Sequence, residues 1–132
     1  MNPDDLNTLI NEVISSVKNV TGIDLVYFLD KNQKIIKEQK YYNINNYYNE
    51  VLQLIKSTAS IEIASKSFYT HPFHTFTFLN EDGLLVITKL DNLENLYMVI
   101  VAGENESVDL ISLLKKCKET RLKYQDSILA SL

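Results

Sequence analysis

In the first half of the chain the apolar positions change period three times. Through the first twenty residues they recur at spacings of three and four, which predicts an amphipathic helix. Asp24–Leu29 is short and almost continuously apolar, which predicts a buried strand, and Lys34–Gln39 predicts a more polar strand after an intervening turn. The helical period returns from Ile44 to about Ser65 and predicts the second helix.

The second half predicts three strands and a closing helix. Phe73–Leu79 alternates apolar and polar residues, and the turn 80–83 ends in a glycine that we expect to adopt a positive φ. Leu84–Leu90 and Leu96–Ala102 predict the next two strands. The last helix is expected from residue 107 to about residue 124, so the predicted element order is αββαβββα.

The burial pattern of the strands predicts their order in the sheet. The first and fifth strands are apolar on both alternations, as expected of central strands covered on both faces. Short turns pair the first strand with the second, the third with the fourth and the fourth with the fifth. If the first and fifth strands are neighbours, the result is an α/β fold with a mainly antiparallel sheet in the order 2-1-5-4-3, with helices 1 and 3 on one face and helix 2 on the other.

The two predicted edge strands differ in charge. The second strand carries Lys34, Lys37 and Glu38, which protect an edge against the addition of another strand. The third strand, Phe73–Leu79, contains no Asp, Glu, Lys or Arg, and its His74 is mostly neutral at pH 7. We therefore expect this edge to be covered or to pair with a second copy of the chain.

Helix 2 has more apolar surface than one packed face requires. Its apolar residues span an arc of roughly 200°, against roughly 100–140° for a helix that packs on one side. The last helix is also broad, but we expect it to contact both the sheet and the first helix. The predicted dimer interface therefore combines strand 3 with helix 2 and comprises Phe73, Thr75, Phe76, Thr77, Val51, Leu54, Ile55 and Thr58.

A cluster of tyrosines adjoins helix 2. Tyrosine is frequent at binding hot spots because its ring buries a large area while its hydroxyl tolerates water. The candidates are Tyr41, Tyr42, Tyr47 and Tyr48, and packing of these rings over the sheet is an equally weighted alternative. The predicted partner-binding patch consists of Tyr47, Tyr48 and Leu52.

Composition narrows the classes of function. The 132 residues fit a single domain, 1–132, and a net charge of −4 with a pI near 5.1 argues against nucleic-acid binding. The opening residues do not resemble a signal peptide, and no apolar run is long enough to span a bilayer, so we expect a cytoplasmic protein without membrane insertion. One cysteine, Cys117, excludes an intrachain disulfide.

The residues offer little catalytic chemistry. His71 and His74 lack an obvious third ligand for a metal, and three glycines with no phosphate-loop motif argue against a nucleotide cradle. Cys117 is interpreted as a small core residue. Arg121 has the chemistry of an arginine finger, but we favour a solvated cation near the end of the last helix. We therefore expect no catalytic residue, no metal site and no cofactor.

Three segments together with the closing helix resemble the roadblock/dynein light chain family over nearly the whole chain: Ile23–Asp30, Gly83–Ile87 and Leu96–Ala102. The chain departs from that family at 31–33, where a small residue and a glycine are usual. The resemblance implies a homodimer or heterodimer joined through strand 3 and helix 2. In bacteria, proteins of this kind look like partners of gliding-motility GTPases and accelerate GTP hydrolysis.

Three functions remain open on this basis. The resemblance favours a non-enzymatic regulator or scaffold of a Ras-like small GTPase, acting by activation, exchange or anchoring. A small-ligand sensor of GAF-like or longin-like topology is the first alternative, because those domains share much of the topology. A purely structural adaptor subunit is the second and is compatible with the same dimer.

Overall fold

The computed structural model describes residues 3–17, 23–30, 32–41, 48–71, 73–81, 83–90, 96–103 and 110–131. Three helices and five strands follow in the predicted order. Their bounds are α1 Pro3–Val17, β1 Ile23–Leu29, β2 Ile35–Lys40, α2 Tyr48–Ser65, β3 Thr75–Asn80, β4 Gly83–Lys89, β5 Tyr97–Ala102 and α3 Leu110–Ser131.

The sheet confirms the predicted order, β2-β1-β5-β4-β3. Each pair of neighbouring strands is antiparallel. β1 and β5 lie inside the sheet, as their apolar residues on both faces predict, and most of their side chains are buried. β2 and β3 form the two edges.

Two apolar cores lie on opposite faces of the sheet and make a three-layer structure. The first contains side chains from α1 and α3, among them Leu9, Ile10, Val13, Leu113, Cys117 and Tyr124. The second contains Val51 and Ile55 of α2 with Tyr27, Phe76, Ile87 and Val99 of the sheet. The predicted placement of helices 1 and 3 on one face and helix 2 on the other is confirmed.

Several element ends differ from the prediction. β3 begins at Thr75 rather than Phe73, although the carbonyl of His74 still accepts a hydrogen bond from Lys89 N–H at 2.7 Å in register with the ladder. α3 continues past Tyr124 to Ser131, since the sequence there contains neither proline nor glycine to end it. The predicted start of helix 2 at 44–47, the end of helix 1 at 18–20 and the start of the last helix at 107–109 lie outside the described residues.

The first turn holds a non-glycine residue in a left-handed conformation. Gln33 has φ 64°, a conformation that glycine adopts without strain. The carboxylate of Asp30 accepts hydrogen bonds from the N–H groups of Asn32 and Lys34 at 2.8 and 3.0 Å. The hydroxyl of Tyr48 donates to the Gln33 carbonyl at 2.6 Å. These contacts offset the strain that glycine would avoid.

Gly83 is required for a different reason from the one predicted. Its φ lies outside the left-handed region, so the expected positive φ is wrong. A Cβ at this position would lie 2.4 Å from the carbonyl oxygen of Ala102 and 2.6 Å from that of Gly103. Glycine is therefore needed for the close approach of the β4 backbone to the end of β5.

Gly83→Ala is expected to lower the free energy of unfolding by about 1–3 kcal/mol, because both clashing atoms belong to the backbone and cannot move without distorting the sheet. Gly103→Ala is the matched control, since its Cβ would meet only the carboxylate end of Asp24 at 2.8 Å, a side chain that can shift at the cost of its hydrogen bond to the Gly103 backbone. Urea unfolding of both variants measures the difference. Equal losses would contradict the backbone clash.

Candidate protein-interaction surface

β3 is an edge strand without charged side chains. It pairs with β4 on one side and ends the sheet on the other. Its sequence is Thr-Phe-Thr-Phe-Leu-Asn, and both Thr77 and Leu79 are exposed. The opposite edge, β2, carries an ion pair of 3.3 Å between Lys40 and Glu38. Of the two edges, β3 is the one chemically open to pairing with another strand.

The predicted interface residues of strand 3 fall into different environments. Phe76 is 7% exposed and belongs to the core under α2, whereas Thr77 is exposed. Thr75 is half-buried, and its hydroxyl lies 2.7 Å from His74 Nδ1 and 3.5 Å from the hydroxyl of Thr88. The half-buried Phe73 has its ring centroid 6.2 Å from that of Phe76 in an edge-on arrangement. Within the strand, Thr77 is the predicted residue most available to a second chain.

The predicted interface residues of helix 2 are mostly covered by the chain itself. Val51, Ile55 and Thr58 are buried, and the Thr58 hydroxyl donates to the carbonyl of Ile55 at 2.6 Å. Leu54 is half-buried. Val51, Ile55 and Thr58 are therefore covered by the chain itself. The assignment of all four residues to a dimer contact remains a prediction, and Leu54 is the one of the four with exposed surface that a second chain could contact.

The apolar residues that α2 leaves exposed lie closer to its end. Ile61 is 38% and Ile63 is 68% exposed. This agrees with the broad apolar arc of the helix, because the sheet covers only part of it. Another chain would find apolar surface mainly on the last two turns of α2.

The predicted tyrosine patch is divided by the structure. Tyr48 and Leu52 are half-buried in the core under α2, and the Tyr48 hydroxyl is bonded to Gln33. The Tyr41 hydroxyl donates to the carbonyl of Ile14 at 2.8 Å and joins the end of β2 to α1. Tyr41 and Tyr48 therefore pack within the chain, as the alternative interpretation predicted. Residues 42 and 47 lie outside the described residues.

Two strongly exposed aromatic residues escaped the sequence analysis. Phe68 is 79% and Tyr69 is 62% exposed in the connection between α2 and β3. The Tyr69 ring lies 5.6 Å from that of Phe73, and these residues border an open groove of about 570 Å³. We call Phe68, Tyr69 and Phe73 the aromatic lobe. The sequence did contain a signal for them, since three aromatic residues occur close together in a short connection between two elements.

Arg121 differs from the solvated helix-end cation that was predicted. It lies within α3 and is half-buried, and its Nε donates to the carbonyl of Lys89 at 3.0 Å. The Lys89 ammonium in turn lies 3.7 Å from the carboxylate of Glu62 on α2. Burial lowers the pKa of Arg121. Its contact ties α3 to the end of β4, which is a structural role.

The start of the β3 edge is held neutral near pH 7. Burial lowers the pKa of His74, and the nearby positive charge of Arg121 lowers it further. His74 therefore carries little positive charge where β3 begins. The open edge stays uncharged over its length.

Of the other candidate chemical groups, His71 is exposed and Cys117 is placed inside the fold. Cys117 is 1% exposed, and burial raises the pKa of its thiol, as expected of a core residue. Within the described ranges, no three His, Cys, Asp or Glu residues come together as they would to hold a metal ion. No described helix combines the length and the apolar character needed to cross a bilayer.

The last helix also leaves apolar surface open. Its breadth was expected to be used by contacts with the sheet and α1. Instead, Ile111 is 70%, Leu114 is 38% and Leu122 is 50% exposed. The expectation fails because α3 presents only one side to the core, through residues such as Leu113 and Cys117.

Comparison with solved structures identifies the fold. A structure described as "MglB with tetrameric arrangement" has a TM-score of 0.77 at 13% identity, covering 100% of this chain and 96% of that chain. Myxococcus xanthus MglB gives 0.71 at 14% identity, with both chains covered completely. A roadblock/LC7 domain from Streptomyces avermitilis gives 0.67 at 11% identity over 92% of this chain and 95% of that one.

No family model and no curated protein sequence matches the chain. The likeness is therefore one of fold. The chain has the roadblock fold, which confirms the architecture that the sequence resemblance implied.

Proposed function

We propose that a protein with this roadblock fold is a non-enzymatic, dimeric interaction module that binds and regulates, or scaffolds, a Ras-like small GTPase. One observation supports the proposal above the others: the edge strand β3 is uncharged and open, and the last turns of α2 also leave apolar residues exposed. An edge of this kind favours strand pairing with a second copy.

A dimer would bury surface that is costly to leave in water. Leu79 on β3 and Ile63 on α2 are 63% and 68% exposed, and the aromatic lobe adds to them. In the aromatic lobe the rings of Tyr69 and Phe73 lie 5.6 Å apart beside the start of β3, and an exposed apolar patch of this kind favours a protein partner. A second copy is the simplest partner, since β3 is complementary to itself in an antiparallel pair.

The small GTPase is inferred from the resemblance and from the structures of similar fold. One of these is described as a gliding protein, MglB, from Thermus thermophilus, with a TM-score of 0.71 at 14% identity over 86% of this chain and 84% of that chain. The described residues of this chain hold no metal-ligand cluster, and their single thiol is buried. The exposed apolar surface supports the binding of a folded protein.

Affinity capture from a lysate of the source organism, with added GDP or a non-hydrolysable GTP analogue, tests the partner. We expect a Ras-like GTPase to be retained at least several-fold more in one nucleotide state, because regulators distinguish the switch conformations of their GTPase. Mass spectrometry identifies the bound proteins, and free GTP is expected to leave the melting temperature of the bait unchanged.

The competing functions give different results in the same experiment. A structural adaptor would retain one assembly equally in both nucleotide states. A ligand sensor would show a rise in melting temperature with a small molecule and no nucleotide-dependent protein partner. Either result would contradict regulation of a GTPase.

A further inference from the structure

Part of the sheet face under α2 is left uncovered by that helix. α2 crosses the strands near one end of the sheet. The Tyr48 hydroxyl donates a hydrogen bond to the Gln33 carbonyl in the β1–β2 turn, and the Glu62 carboxylate forms an ion pair with Lys89 at the end of β4. Toward the other end, Phe78, Leu85 and Val101 are direct partners on β3, β4 and β5. All three are half-buried. We call this row the apolar shelf.

A groove runs along the shelf. It has a volume of about 360 Å³ and is lined by the three shelf residues together with Asp24, Asn80 and Gly83, among others. The groove reaches the β3 edge at Phe78. Any chain that paired with β3 would therefore lie directly beside it.

The segments that flank β3 have opposite charge. Residues 66–80 contain no Asp or Glu, and the exposed Lys66 precedes the strand. Glu81 follows the strand, and Asp24 lines the groove at that end. An antiparallel pair of β3 strands brings the segment with Lys66 of one copy toward the acidic segment of the other, whereas a parallel pair would bring like segments together.

We propose that, in the β3-paired dimer, the aromatic lobe of each copy docks on the apolar shelf of the other. This inference rests on the proposed dimer, which supplies the strand pairing. A two-fold axis through an antiparallel β3 pair sets the start of one strand beside the end of its partner. The lobe, which precedes β3 and packs on the α2 face through Phe73, thereby meets the partner's shelf on that same face.

The exposed area of the aromatic lobe is a substantial part of the area that a stable interface buries. An aromatic side chain buries about 150–250 Å², so Phe68 and Tyr69 at 79% and 62% exposure offer roughly 250–300 Å² per copy. A stable interface buries about 800 Å² per partner. The lobe alone would supply about a third of that area, and the short β3 edge needs a contribution of this size.

Cross-linking between two single-cysteine variants tests the contact. Phe68→Cys protein is mixed with Leu85→Cys protein and treated with a short bis-maleimide, and the mixed product is identified by mass. We expect the mixed cross-link to dominate, since position 68 of one copy lies against position 85 of the other. The buried Cys117 is expected to stay unmodified. Phe68→Cys mixed with Lys37→Cys, on the opposite edge, is the control and should give no mixed product.

Charge reversal gives an independent measurement if cysteine weakens the contact. Lys66→Glu and Glu81→Lys are each expected to raise the dimer dissociation constant several-fold, and the double variant is expected to restore it. A dimer that shows neither the mixed cross-link nor this rescue overturns the docking of the lobe but leaves the proposed dimer standing. A wild-type chain that is monomeric throughout overturns both.

Discussion

Thr77→Lys is expected to convert the dimer into monomers at micromolar concentration. Thr77 is exposed in the middle of β3, and the strand carries no charge. In a two-fold pair the substitution would place two ammonium groups near each other at the axis, and such like-charge contacts cost several kcal/mol. The dissociation constant is therefore expected to rise at least about 100-fold, as measured by sedimentation equilibrium.

Thr77 is a better site for this test than Thr75, whose hydroxyl contacts His74 and Thr88 inside the chain. Gln39→Lys adds the same charge to the opposite edge of the sheet and is the matched control, expected to leave the dimer intact. Unchanged circular dichroism would show that the variants fold. A Thr77→Lys protein that stays dimeric would exclude β3 from the interface.

Ile55→Ala is expected to lower the free energy of unfolding by about 2–5 kcal/mol, because Ile55 is 2% exposed and anchors α2 to the sheet. Ile63→Ala makes the same chemical change on the same helix at a position 68% exposed, and should change stability by less than about 0.5 kcal/mol. Urea unfolding measures both, with Thr77→Lys present so that dissociation does not contribute.

The comparison separates the two roles of α2. If Ile55→Ala costs no more than Ile63→Ala, the core under α2 is not anchored as the structure shows. Without Thr77→Lys, Ile63→Ala is expected to weaken self-association while Ile55→Ala weakens the fold.

The strand order and the three layers could be predicted because the burial of a strand determines which of its positions are apolar. β1 and β5 are apolar on both alternations, which only a covered, central strand requires. The charged residues of β2 and their absence from β3 likewise distinguished the two edges. These signals are periodic, so a single sequence is enough to detect them.

The interface residues were harder to predict because periodicity does not say which chain covers an apolar face. Val51 and Ile55 belong to the same apolar arc as Ile63, yet the sheet of the chain itself covers only the first two. The aromatic lobe has no period, since Phe68 and Tyr69 lie in a connection. Arg121 was predicted to be a cation at the helix end because the last helix was expected to stop at about residue 124, whereas α3 continues to Ser131.

The most direct test of the account measures GTP hydrolysis and nucleotide exchange by the captured GTPase, with wild-type protein or with Thr77→Lys added. We predict that the wild-type protein changes at least one of the two rates, or holds the GTPase in one nucleotide state, and that the monomeric variant has lost that effect. The same effect from Thr77→Lys monomers would contradict the requirement for a dimer. No effect on either rate together with no nucleotide-dependent binding would contradict the proposed function.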